Sequence, residues 1–257
     1  MLPETYQRLA ERENHYWWYR ARRRMAVGLL RKHGLRNGIR AIDIGCGCGG
    51  NLAIFDSFEP SLVVGTDLSP IALDHARRQA REALLVRADL NVDLPFFGES
   101  FDVATVFNVL YHDWVTDDRA TLRRINALLR PGALLLVTEP AFEALRRGID
   151  RATLGRRRYL LSDFRMRAES VGFTSVFGGY FSSFVFPIAL AMGIADRVRG
   201  RMRTRDSAQG ADALDSRALG EPMNELLFRL AACEADAIVH GLMIPFGVTL
   251  VSVFRRP

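Results

Sequence analysis

Short apolar runs alternate with amphipathic stretches through the first half of the chain. Arg40–Ile44, Ser61–Thr66, Ala83–Arg87, Phe101–Phe107 and Ala133–Thr138 are brief and apolar, with charged, proline or glycine positions beside them. Runs of that length with that punctuation read as buried strands. Between them the pattern changes to a helical period. Asn51–Phe55 opens one helix. A second runs from Ser69-Pro70 to about Glu82, with serine suited to the N-cap and proline to the first turn. A third spans Thr116–Leu129, with Leu122, Ile125, Leu128 and Leu129 on one side, before Arg130-Pro131-Gly132 breaks it. Strands alternating with helices predict an α/β fold with a parallel sheet covered on both faces.

The flanks extend this picture. Residues 1–35 read as helical, with Met25, Leu29 and Leu30 on one face after the aromatic run Tyr16-Trp17-Trp18-Tyr19. The aromatics either dock this helix on the domain or cover a ligand as a lid; His15, Tyr19, Arg20 and Arg23 are the polar candidates of such a lid. Beyond Pro140, the arginine-rich stretch Arg146–Arg158 reads as a solvated connection or flap. Ser162–Val171 reads as a serine-capped helix closed by Gly172, Thr174–Tyr180 as a sixth strand, Met223–His240 as a helix and Gly247–Phe254 as a last strand. Residues 181–193 are apolar but too short to span a bilayer. With Arg197, Arg199, Arg201, Arg203 and Arg205 after them, they suit an interfacial anchor, a substrate-pocket insert or a packed helix. Residues 203–220 are polar and read as a mobile stretch. No internal repeat is present.

Composition narrows the class. At 257 residues with 49% apolar side chains, the chain suits a single α/β domain with an appendage. No uninterrupted apolar run reaches membrane-spanning length, no secretory signal pattern is visible, and three cysteines (Cys46, Cys48, Cys233) make no disulfide framework, which points to the cytoplasm. The net charge of +6 invites a nucleic-acid reading, yet Lys32 is the sole lysine among 35 basic residues. An arginine bias of that kind reflects genome composition as readily as phosphate binding. Cys46-x-Cys48 without nearby histidines is poor metal spacing, and no metal site is expected.

The chemistry centres on Asp43-Ile44-Gly45-Cys46-Gly47-Cys48-Gly49-Gly50, where an apolar strand ends in an acid and a glycine-dense turn. Glycine permits positive φ and close ligand approach. Gly45, Gly47 and Gly50 also fit Gly-x-Gly-x-x-Gly, which taken alone equally suggests NAD. Asp43 two residues before Gly45, the Asp67-Leu68-Ser69-Pro70 sequence after the second strand, and Leu128–Val137 with its Arg-Pro-Gly junction resemble, in combination, the class I S-adenosylmethionine (SAM) dependent methyltransferases. The likeness covers about residues 39–139 and is nearest to the small-molecule branch of methyltransferase type 11-like proteins. The Trp-Trp-Tyr-Arg segment and Pro245-Phe246-Gly247 resemble one subgroup of that branch.

The resemblance implies a Rossmann-like seven-stranded sheet of order 3-2-1-4-5-7-6 with the last strand antiparallel. The expected organisation is one domain over 1–257, with a helical lid at 1–35 and an insertion at 181–240 near the substrate side. SAM is the implied cofactor and S-adenosylhomocysteine its product. By the same resemblance, Gly45, Cys46 and Gly47 form the wall against the methionine end. Asp67 takes the ribose hydroxyls, Leu68 packs beside the adenine, and Asp89 with the Leu90 backbone addresses the adenine amine. Asn108 faces the methionine moiety, Asp43 orients the loop or the cofactor amine, and Tyr19 and Arg23 join from the lid. His112, in Asn108-Val109-Leu110-Tyr111-His112, is either a general base or a brace for its loop; Tyr111 and His15 are further base candidates. The expected acceptor is a small or medium-sized molecule, hydrophobic or glycan-linked, methylated at oxygen, nitrogen or carbon. A nicotinamide oxidoreductase and a nucleic-acid methyltransferase are the rival readings. Peripheral membrane contact through 181–205 is an open alternative.

Overall fold

The computed structural model describes residues 3–148, 150, 153–198 and 219–257. Its centre is a seven-stranded sheet of order β3-β2-β1-β4-β5-β7-β6. The strands are β1 (Arg40–Ile44), β2 (Leu62–Asp67), β3 (Leu84–Arg87), β4 (Phe101–Phe107), β5 (Leu129–Pro140), β6 (Thr174–Phe181) and β7 (Thr249–Arg255). The first five pair in parallel, while β7 runs antiparallel between β5 and β6. The Rossmann-like sheet expected from the sequence is the one observed.

Helices cover both faces, as the nearly continuous apolar character of β4 and β5 requires. One core lies under α2 (Trp17–Lys32), the 3-10 segment Leu52–Phe58 and α7 (Glu221–His240). The other lies under α4 (Asp118–Leu128) and α5 (Leu161–Glu169). Two further helices are α3 (Pro70–Gln79), which Ser69 caps by accepting the Ala72 N–H at 3.3 Å, and α6 (Phe186–Val198).

Several boundaries differ from the pattern reading, each for a local reason. The N-terminal segment is two helices, α1 (Pro3–His15) and α2, broken at Tyr16 in extended geometry. After the glycine turn the chain forms a 3-10 helix. The Arg-Pro-Gly break lies within β5 as the structure delimits it, with Gly132 at φ +83° and a register shift opposite Phe101 and Val103. Ser162 is no cap, because α5 starts at Leu161 from an extended Leu160. The stretch 146–158 is not solvated along its length. Arg147 pairs with Asp196 at 3.2 Å, Arg157 with Asp118 at 2.6 Å and Arg158 with Asp150 at 2.8 Å, all largely buried. Periodicity shows no such pairing, since the partners come from elsewhere in the fold. The polar stretch at 203–218 and the arginines at 199–205 lie outside the described residues.

Candidate active site at the carboxyl edge of the sheet

The ends of β1, β2, β3 and β4 meet at one edge, the side on which open α/β sheets bind ligands. The glycine turn leaves β1 there. Gly45, Gly47 and Gly49 have φ of +72°, +57° and +92°, a region that other residues enter at a cost. A Cβ on Gly45 would lie 2.5 Å from Val109 Cγ2, so the turn also needs glycine for space. The Cys46 N–H donates to the Thr66 carbonyl at 2.7 Å, which ties the turn to β2.

Asp67 closes this tie. Its Oδ2 accepts the Gly47 N–H at 3.0 Å and its Oδ1 accepts the Ser69 N–H at 2.8 Å. Burial pushes its pKa up and these backbone donors pull it back. Leu68 is half-buried beside it. The Asp67 carbonyl accepts the Ala88 N–H at 3.1 Å, which brings Asp89 and buried Leu90 to the same edge. Asp89 Oδ1 accepts from the Asn91 backbone and side chain at 2.9 Å, and Asn91 in turn donates to the Trp114 carbonyl at 2.8 Å. Asn108 follows β4 at φ +56° and donates its N–H to the Thr138 carbonyl at 2.7 Å.

Asp43 is buried at the end of β1. Its Oδ1 accepts the Thr105 hydroxyl at 2.6 Å, while its Oδ2 has no hydrogen-bond partner. Burial raises its pKa to about 7, and Arg22 opposes that rise. Arg22 comes from α2, is buried against the Trp18, Tyr19 and Phe107 rings, and donates to Asn51 Oδ1 at 2.9 Å. Its Nε is also without a partner. A buried carboxylate oxygen and a buried guanidinium N–H both left open beside a glycine cradle fit the ammonium and carboxylate of an amino-acid tail. The residues present therefore suit SAM.

Two further residues belong to the site and were missed from the sequence. Glu13, on α1, accepts the Gly50 N–H at 2.9 Å. Its pKa rises to about 7 through burial, against the pull of Gly50, Arg22 and Arg23. Arg23 holds the Glu13 carbonyl at 2.5 Å and the Gly50 carbonyl at 3.3 Å, so it braces the turn from behind α1. Glu139, at the end of β5, takes the N–H groups of Val109 at 3.1 Å, Leu110 at 2.8 Å and Tyr111 at 3.3 Å. One carboxyl thus shapes the loop after β4. A Glu-Pro pair ending an apolar strand, one residue after the Thr138 that holds Asn108, was the signal that marks it.

The three base candidates occupy different surroundings. Tyr111 is buried, hydrogen-bonded to Thr153 and electrostatically coupled to Tyr19; burial raises both phenols, Tyr19 to about 12. The His112 ring packs on Tyr111 at 4.1 Å and stacks on Trp114 at 5.5 Å. Its pKa falls to about 4 because burial outweighs the nearby Leu154 and Thr153 carbonyls. His15 is exposed and lines a cavity of about 430 Å³ with Arg20, Asn224 and Glu225, a wall that holds none of the glycine-turn residues.

Residues 41–132 match the family model described as a methyltransferase domain. The chain is 33% identical over 120 residues to trans-aconitate 2-methyltransferase of Methylobacterium radiotolerans, covering 46% of this chain and 45% of that protein. It is also 33% identical over 127 residues to the ubiquinone/menaquinone biosynthesis C-methyltransferase UbiE of Shewanella sp. (strain ANA-3), covering 46% and 50%. The chain thus spans half or less of the length of these curated relatives. Among solved structures it resembles a chain of the complex between the Haloferax volcanii Trm112 methyltransferase activator and the putative methyltransferase. That match has a TM-score of 0.61 at 19% identity, over 96% of this chain and 92% of that one.

Residues 41–132 thus resemble a methyltransferase domain, and the fold is one shared with a solved structure described as a putative methyltransferase.

Proposed function

We propose that this chain transfers the methyl group of SAM to a small or medium-sized acceptor, at oxygen in the first instance, with nitrogen or carbon as alternatives. The observation that carries the reading is the pair of open polar atoms, Asp43 Oδ2 and Arg22 Nε, buried beside a glycine turn that Asp67 braces. SAM supplies an activated methyl on a sulfonium, so the protein's work is alignment and exclusion of water. Gly45, Cys46 and Gly47 would border the amino-acid end, Asp67 the ribose, and Leu68, Asp89 and Leu90 the adenine. Asn108, fixed by Thr138, and the loop held by Glu139 would face the methionine portion. Tyr19 and Arg22 would close the site from α2, and Glu13 and Arg23 would hold α1 over the turn.

His112 serves this mechanism as a brace. A ring with a pKa near 4 is neutral at physiological pH but is a weak proton acceptor, and it is packed between its own loop and residues 153–155. Tyr111, raised further, stays a phenol and can donate a hydrogen bond. His15 lies by α7 and takes no part. We place the protein in the cytoplasm, where the thiols of Cys46 and Cys48 stay free. No helix among the described residues is long and apolar enough to cross a membrane.

The acceptor is read as apolar. At the same edge of the sheet, aromatic rings run from Tyr180 to Phe142 (4.6 Å), Phe186 (5.5 Å) and Phe246 (5.4 Å). The test of the cofactor assignment is calorimetry with SAM and with NAD on wild type and Asp67→Ala. Wild type is expected to bind SAM and not NAD, and Asp67→Ala to weaken SAM at least about 100-fold, through loss of charge-assisted bonds and of the Gly47 tie. Wild-type affinity in the variant sinks the assignment. Mass spectrometry of a metabolite mixture incubated with labelled SAM then identifies the acceptor.

A further inference from the structure

The segment between β6 and β7 carries an apolar surface that the reaction itself does not require. On α6 the outward positions Ile188, Ala191, Ile194 and Val198 follow helical spacing and are exposed, Ile194 by 50% and Val198 by 82%. The stretch 242–246, Leu-Met-Ile-Pro-Phe, packs Phe246 on Phe186 of the same helix and leaves Met243 74% exposed. Both elements stand at the carboxyl end of β6, the cofactor end of the sheet, because β6 runs parallel to β5. The ring series then leads inward from exposed Phe246 to buried Tyr180.

The charges select the occupant. The single acid of α6, Asp196, is half-buried against Arg147, whereas Arg197 is exposed. The sequence continues from Val198 into Arg199, Arg201, Arg203 and Arg205, and 242–246 has no charge. A face of exposed apolar groups beside cations complements an anionic lipid surface. A second copy would bring like charges together on a two-fold contact, which opposes that pairing. At 13 residues α6 is roughly 20 Å long, shorter than the bilayer core of about 30 Å, so it is too short to span a membrane.

We propose that α6 and the 242–246 stretch dock on an anionic lipid bilayer and that the acceptor is a lipophilic molecule drawn from that surface toward the cofactor edge. This inference rests on the methyltransferase reading for its substrate half, while the docking stands on the surface alone. The test is flotation of the full chain with vesicles of phosphatidylcholine, or of phosphatidylcholine with about 30% phosphatidylglycerol. Wild type is expected to float with the anionic vesicles and to be released by salt. An Ile194→Glu, Val198→Glu double variant is expected to lose at least about tenfold in bound fraction, with unchanged melting temperature and SAM affinity. Phe246→Ser provides an independent loss on the second element. Failure of wild type to float with anionic vesicles overturns the proposal, and so does a double variant that floats as well as wild type. A dimer that the same variant dissociates, without vesicle binding by wild type, assigns the face to a second copy and overturns it too. Absence of SAM binding in calorimetry defeats the enzymatic reading alone, since flotation does not depend on it.

Discussion

Glu139 offers the sharpest physical test of the site. It is fully buried and takes three backbone N–H groups from residues 109–111, yet burial pushes its pKa from an ordinary 4.5 to about 8. The folded protein therefore holds this proton where the unfolded chain has released it. Between pH 4.5 and 8 the native state binds the additional proton, so stability falls as pH rises through that window. The slope from one such group approaches about 1.4 kcal/mol per pH unit, or roughly 5 kcal/mol across the whole interval. Glu139→Gln cannot titrate and resembles the protonated form, with a carbonyl for Leu110 and an amide in place of the hydroxyl.

Urea unfolding followed by tryptophan fluorescence at pH 6.0, 6.75 and 7.5 measures the difference between wild type and Glu139→Gln. Other groups that titrate here, Glu13 and Asp43 with pKa values near 7, are common to both proteins and cancel. The variant is expected to gain about 2 kcal/mol on wild type from pH 6.0 to 7.5. Glu139→Ala is expected to be less stable than Glu139→Gln at all three pH values by about 1–3 kcal/mol, because buried N–H groups lose their acceptor. A stability difference between wild type and Glu139→Gln that stays constant with pH refutes the reasoning. It would mean that the three donors keep the carboxylate ionised in the fold.

Two further outcomes follow from the same geometry. Gly45→Ala forces a Cβ onto Val109 at φ +72°. It is expected to cost about 2–4 kcal/mol of stability, from the left-handed backbone and overpacking together, and to weaken SAM binding measured by calorimetry; a neutral variant would show that the turn relaxes freely. His112→Gln is expected to lower kcat less than about tenfold without changing the pH profile of the rate, whereas removal of a general base costs about 100-fold or more. In the same variant the stability loss of wild type between about pH 6.5 and 4, where the unfolded chain gains a proton that the fold excludes, should shrink.

The sequence by itself determined the order of elements and the sheet edge at which the glycine turn lies. Apolar strand runs, glycine at 45, 47 and 49, and Ser69-Pro70 are local requirements of turns, caps and buried strands, so they are written where they act. Asp43 and Asp67 were visible for the same reason, because each ends a strand. The partners of those residues were decided only in three dimensions. Arg22, Glu13 and Glu139 reach the site from α2, α1 and β5, and pattern reading picked Arg23 and His15 from the same lid segment without distinguishing the face each presents. The arginines at 146–158 appear solvated along the chain but find Asp118, Asp150 and Asp196 across it. Periodicity records which residues need a buried face. Which buried groups meet, and which titrations the burial shifts, depends on packing between segments far apart in the chain.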